Sequence, residues 1–178
     1  PGAIAFEKPE SPETALDGKI GGNLQLAKIA DLLVLDDQKL GGTAKIDLKL
    51  AGSLGSPSVQ GGIELRQGSV DDATSGLAIR QLQASIVARD KRIVLERLSG
   101  RDRDDGKLSG KGSFDLDTMA YDVDLRVDKL EAVRIEFARA SLTGSVQLTG
   151  TATEASLRSR LEVDRAEIRL PDPPPDPP

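Results

Sequence analysis

Neither cysteine nor histidine occurs anywhere in the 178 residues. Their absence excludes disulfides, thiolate nucleophiles, the nucleophile–histidine pairs of most acyl-transfer enzymes, and nearly all zinc and copper sites. It fits a periplasmic setting as well as a cytosolic one. Tryptophan is missing too, and Phe6, Phe114, Phe137 and Tyr121 are the only aromatic residues. A closed sandwich or barrel leans on aromatic side chains for buried area, so a thick two-layer core is a poor expectation. Nor is there an apolar run near the ~18 residues of a membrane-crossing helix; the longest cluster is 32–35. The first residues lack the charged-then-apolar pattern of a signal peptide. Basic and acidic residues are interspersed, with a net charge of −5. No basic stripe or stacking platform exists, which argues against nucleic acid as a partner.

What is present is alternation. Hydrophobic residues make up 38% and charged residues 30%, and the two classes alternate with period two over most of the chain. Ile46, Leu48 and Leu50 alternate with Lys45, Asp47 and Lys49; Val59, Ile63 and Leu65 follow after a turn at Gly55-Ser56-Pro57. The same period runs through Leu82 and Ile86, through Ile93 and Leu95 after the turn 89–92, and through Leu108, Phe114 and Leu116. Tyr121, Val123, Leu125 and Val127 face away from Asp122, Asp124, Arg126 and Asp128. Leu142, Val146 and Leu148, then Leu157, Leu161 and Val163, complete the set. Gly-rich and Asp-Gly or Ser-Gly dipeptides separate the segments, as antiparallel hairpins require. The expected fold is therefore all-β, about ten antiparallel strands in one elongated sheet. One helix interrupts it, at 26–36, where Leu26, Ile29, Ala30 and Leu33 stand at helical spacing.

The chain also repeats itself at an offset of 98, which carries Gly52 onto Gly150, Leu48 onto Val146, Val59 onto Leu157, Ile63 onto Leu161 and Val70 onto Ile168. Repeated hairpins suggest a stack growing along one axis. Three segments follow: an N-terminal linker at 1–15, one repetitive β segment at 16–170, and a Pro-rich linker at 171–178 in extended polyproline II.

Each strand has a charged face and an apolar face. The apolar face either closes on itself as a core or stays concave and open as a groove, and the alternation alone leaves both standing. Gly61, Gly110, Gly112 and Gly144 fit either, by bending the strands or by leaving room in a trough. Asp102, Asp104 and Asp105 before Gly106 have the acidic character of a calcium loop, but the spacing is wrong and the distal Glu is missing. An Asp-Gly turn accounts for them, and solvated turns account for Asp36-Asp37 and Asp71-Asp72. No metal site or cofactor is expected, and no enzyme.

The stretch 40–61 sets Gly52-Ser53-Leu54-Gly55-Ser56-Pro57 between two alternating strands. With Ile63-Glu64-Leu65-Arg66-Gln67-Gly68-Ser69-Val70, 93–100, Gly106-Lys107-Leu108-Ser109-Gly110, and the closing run 163–171, it resembles the repeated phrase of the TamB family, over residues 16–171. The resemblance implies a segment of the inner-membrane subunit of the translocation and assembly module, within the AsmA-like, bridge-type lipid-transfer group. It implies a β-taco, a curved half-pipe with an apolar concave interior, located in the periplasm as part of an inner-membrane-anchored protein. Phospholipid acyl chains would lie against the alternating apolar residues named above, from Ile46 to Val163. The outer-membrane barrel TamA would be the partner of the full-length protein, and membrane contact would fall to parts outside this stretch. Neither the family's anchor nor its far C-terminal, partner-binding end is recognised here. Two other roles fit the same pattern: a chaperone-like scaffold for nascent outer-membrane β-strands, and a closed structural spacer.

Overall fold

The computed structural model describes residues 14–28 and 37–169. They form one nine-stranded antiparallel sheet in simple sequential order. The strands are β1 (Ala15–Gln25), β2 (Gln38–Ser53), β3 (Ser56–Asp72), β4 (Ala78–Arg89), β5 (Arg92–Arg101), β6 (Lys107–Asp115), β7 (Tyr121–Ile135), β8 (Ala138–Gly150) and β9 (Ala155–Ile168). Nearly all backbone contact among them is between strands adjacent in sequence. The sheet is thus a single open layer, with β1 and β9 as its two edges, and eight spacings of ~4.8 Å give it a length of about 38 Å. The all-β half-pipe expected from the sequence is what the chain adopts.

Two differences stand out near the N-terminus. Residues 15–25 form β1, which the alternation did not reveal, because Gly18, Gly21 and Gly22 take places that apolar and polar side chains would otherwise mark. Of the helix expected over 26–36, residues 26–28 are helical and the remainder lies outside the described residues. So does the Pro-rich segment 171–178.

The internal repeat is structural. Leu48 pairs with Gly61, Leu50 with Val59 and Gly52 with Pro57. At the same offset, Val146 pairs with Ser159, Leu148 with Leu157 and Gly150 with Ala155. The hairpin β8–β9 therefore reproduces the register of β2–β3.

Curvature comes from a line of bulges. Register shifts occur at Gly42 in β2, between Leu65 and Gly68 in β3, and between Arg80 and Gln83 in β4. They recur between Val127 and Leu130 in β7 and at Asp164 in β9. Gln67, Gln81 and Lys129 sit at these shifts with φ of 53°, 52° and 50°. The pairings Gly68–Leu82, Gly100–Leu108 and Leu108–Val127 connect them at one level across the sheet. A bulge bends its strand and sharpens its twist, so bulges aligned at one level fold the sheet along a crease.

Candidate functional site

The ladder register puts the apolar residues of all nine strands on one face. One row runs by direct pairing from Ile46 to Ile63, Ile86, Leu95, Gly112, Val123, Leu148 and Leu157. A neighbouring row runs Leu24, Ala44, Leu65, Ala84, Leu98, Gly110, Leu125 and Val146. Leu48, Leu50, Val59, Ile93, Phe114, Tyr121, Val127, Leu108, Leu82, Leu142, Leu161 and Val163 share this face by the same pairings. Leu116 alone of the candidate lining residues lies off the strands, in the turn after β6, where its amide donates to the Lys91 carbonyl at 2.8 Å.

Among the described residues no second layer covers this face, yet Ala44, Val59, Leu82 and Ala88 are buried and most of the other lining residues are half-buried. The apolar face is thus the better shielded of the two. Burial fades toward β9, where Leu157, Leu161 and Val163 are exposed, and toward β1, where Ile20 is 50% exposed.

The glycines divide into two kinds. Gly61 and Gly144 have φ of 125° and 149°, and a Cβ on either would fall on a facing carbonyl oxygen, that of Asp47 or Arg160. These two allow close approach and bending, as the sequence suggested. Gly110 does not leave room in the trough. A Cβ there would stand 2.7 Å from Leu125 Cδ2 and 3.4 Å from Leu98 Cδ2, so those side chains already fill the space.

The tightest packing is at the crease. Ile79, Leu82 and Leu130 form a buried cluster, with Leu65, Val70, Leu77, Leu98, Leu108 and Val127 against it. β7 continues past the end of β6 and reaches the β3–β4 turn. There, Asp102 is the pin. Its Oδ1 accepts 2.8 Å bonds from the amides of Asp104 and Gly106, and its Oδ2 accepts a 2.6 Å bond from the Glu131 amide. The Asp102 carboxylate thus serves as a hydrogen-bond acceptor that ties the turn after β5 to β7. Asp105 turns through a φ of 65°, completing an Asp-Gly turn. Arg134 Nη2 donates to Asp104 Oδ2 at 2.8 Å, and its Nε forms an ion pair with Glu131 at 2.6 Å.

The sequence did not point to Ile79, Leu130, Ala44 or Leu24 as lining residues. Leu130 is out of phase with Val127, because the bulge at Lys129 resets the alternation between them. A one-residue slip moves every following side chain to the other face, and a bulge at a non-glycine residue has no clear sequence mark.

The opposite face is charged. Lys19–Asp47, Lys107–Asp128 and Lys111–Asp124 are cross-strand ion pairs at 3.7, 3.8 and 4.0 Å, all well exposed. Pairs of that kind contribute little. Among the described residues, no acidic group of three or more is arranged to hold a metal ion, and no helix is long and apolar enough to cross a membrane.

Comparison with protein families gives a match to the TamB C-terminal domain, over residues 96–177. The match bears out the resemblance read from the repeated phrases and differs from it in two respects. It begins within β5, so the phrase at 40–61 lies outside it, and it is to the family's C-terminal domain, which the sequence reading had not recognised. No curated protein and no solved structure matches the chain.

Proposed function

We infer, for a chain whose residues 96–177 are TamB-family sequence, that its apolar trough conducts lipid. That family supplies the periplasm-spanning, inner-membrane-anchored subunit of the translocation and assembly module, whose outer-membrane partner is the TamA barrel. The observation that carries the reading is the set of continuous apolar rows, paired strand to strand across the whole sheet and uncovered by any second layer among the described residues.

Acyl chains lie along these rows, perpendicular to the strands, with head groups toward water. Each methylene transferred from water contributes about 0.8 kcal/mol, so a two-chain lipid is held firmly in total. Movement stays easy because successive rungs offer similar aliphatic walls, and one step exchanges one set of contacts for another. Nothing in this role requires a reacting group, so the segment acts by surface and not by catalysis. The chain works in the periplasm, as one length of a longer bridge.

Native mass spectrometry of the purified chain, with lipid extraction from the same preparation, tests the reading. Leu125 lies in a trough row, while its neighbour Asp124 faces Lys111 on the charged side. Co-purifying phospholipid should be lost in Leu125→Arg and retained in Asp124→Arg. A lipid-free chain that takes up no added phospholipid would overturn the proposal.

A further inference from the structure

Alternation sets a polar row beside each apolar one, on the other face of the sheet. Next to Leu98, Gly110 and Leu125 come Ser99, Ser109 and Arg126, paired to one another across β5, β6 and β7. The following row on the charged face is Arg101, Lys107 and Asp128, again by direct pairing. These six side chains line a depression of about 680 Å³, within the range of roughly 300–1,000 Å³ of small-molecule sites. Its origin is side-chain length. Serine is short, so hydroxyls form the floor, and the longer arginine and lysine side chains stand around them as a wall.

The charge in this depression is unbalanced. Three cations meet one carboxylate there, in a chain whose net charge is −5. Arg101 and Lys107 stand directly opposite each other, and like charges in that position destabilise a sheet. Neither is closely neutralised. Arg101 reaches Asp105 at 3.4 Å and Lys107 reaches Asp128 at 3.8 Å, with all four side chains more than half exposed. Arg80, which pairs with Arg101 on its other side, is by contrast held by two bonds to Asp71 at 2.7 and 2.8 Å. Among the described residues, the Arg126 guanidinium and the Ser99 and Ser109 hydroxyls have no partner. An opposed cation pair, a free guanidinium and two free hydroxyls thus surround one hollow.

We propose that this depression binds a phosphate ester. Arg126 takes two phosphate oxygens, Arg101 and Lys107 add charge, and the serine hydroxyls bond the ester's polar remainder. A planar guanidinium matches two oxygens of a phosphate, and such charge-assisted bonds are among the strong ones. Three cations around one hollow suit an anion of up to two charges and several oxygens better than a single carboxylate. An anion between Arg101 and Lys107 also offsets their mutual repulsion. The site lies on the face opposite the apolar rows, so it does not depend on lipid in the trough. A free phosphate ester and the head group of an anionic lipid at a membrane surface share this chemistry.

Titration of the isotope-labelled chain with glycerol phosphate is the test, read by amide shifts in nuclear magnetic resonance. Saturable shifts should centre on Ser99, Ser109 and Arg126. Arg126→Gln should weaken binding about tenfold or more. Arg158→Gln removes the same charge at an exposed position outside the depression and should change binding less than about twofold. Asp128→Asn removes the one carboxylate and should tighten binding, and a merely structural effect would not give these opposite signs. All three substitutions are at exposed residues, so the fold is retained. Cosedimentation with phosphatidylglycerol vesicles separates the two sources. Vesicle binding that Arg126→Gln abolishes assigns the site to a lipid head group, and glycerol phosphate binding without vesicle binding assigns it to a free ester. No saturable shift, equal losses in the two arginine variants, or weaker binding in Asp128→Asn would overturn the proposal.

Discussion

The amide of Arg134, near the end of β7, donates a 2.7 Å hydrogen bond to the carbonyl of Ser75 in the β3–β4 turn. Ladder pairing places β7 three strands away from β4, so the bond crosses the mouth left by the shorter strands β5 and β6. Beneath it Leu130 packs on Ile79 and Leu82. This clasp is the closest the sheet comes to a core. Elsewhere, the fold is held by ladder hydrogen bonds and by rows of aliphatic side chains sharing one face.

The clasp should therefore carry more stability than the open rows. Leu130→Ala removes a buried side chain and should cost about 2–4 kcal/mol, in the range of core truncations. Leu148→Ala, at a position 37% exposed, should cost less than half as much. Urea unfolding midpoints with matched m-values would compare them, and equal losses would mean that the cluster has no special weight.

Asp102 is the second element of the clasp. In Asp102→Ala three backbone donors lose their acceptor, and each donor left buried costs about 1–3 kcal/mol. Asp104→Ala, removing an exposed partner of Arg134, should be close to neutral. Hydrogen exchange of the Gly106 and Glu131 amides should quicken in the first variant and not in the second.

Gly61 tests the bend. Gly61→Ala forces a side chain into a φ of 125° and onto the Asp47 carbonyl, a strain of about 1–3 kcal/mol. Gly18→Ala meets nothing within 4 Å and should leave the thermal midpoint unchanged. A well-tolerated Gly61→Ala would show that β2 and β3 do not need this approach.

Acid should weaken the fold in a defined window. Asp71 is held below the ordinary carboxylate value, first by the two hydrogen bonds from Arg80 at 2.7 and 2.8 Å and then by the nearby positive charges. Asp72 and Asp115 are lowered as well, by bonds from Ser75 and Thr118. A carboxylate lowered in the folded state contributes stability above its unfolded pKa, and that contribution is lost as pH falls through the folded value. The thermal midpoint should hold from pH 7 to about 5 and drop below about 4. Asp71→Asn should be less stable than wild type at pH 7, with the gap closing in strong acid. A gap independent of pH would assign the loss to packing and not to charge.

How much was legible in the sequence can be judged strand by strand. β2 from Ala44 onward and the first half of β7 announce themselves, because each keeps a strict period of two with charge on one side and apolar residues on the other. β1 does not, since its glycines erase the contrast between faces. Leu130 and Ile79 were hidden for another reason: each lies beyond a bulge that resets the phase, so the alternation before it does not predict the face after it.

The sequence by itself determined the all-β class, the antiparallel order, the near-absence of reactive groups and the two-faced character of the strands other than β1. These are local properties, set by period, turn residues and composition. It left undecided whether the apolar face closes or stays open, because alternation is the same in a sandwich and in a half-pipe. Only the tertiary structure decided that, through long-range register. Bulges at Gln67, Gln81 and Lys129 align from strand to strand and fold one layer along a crease, and alignment across strands far apart in sequence is a relation no single segment contains.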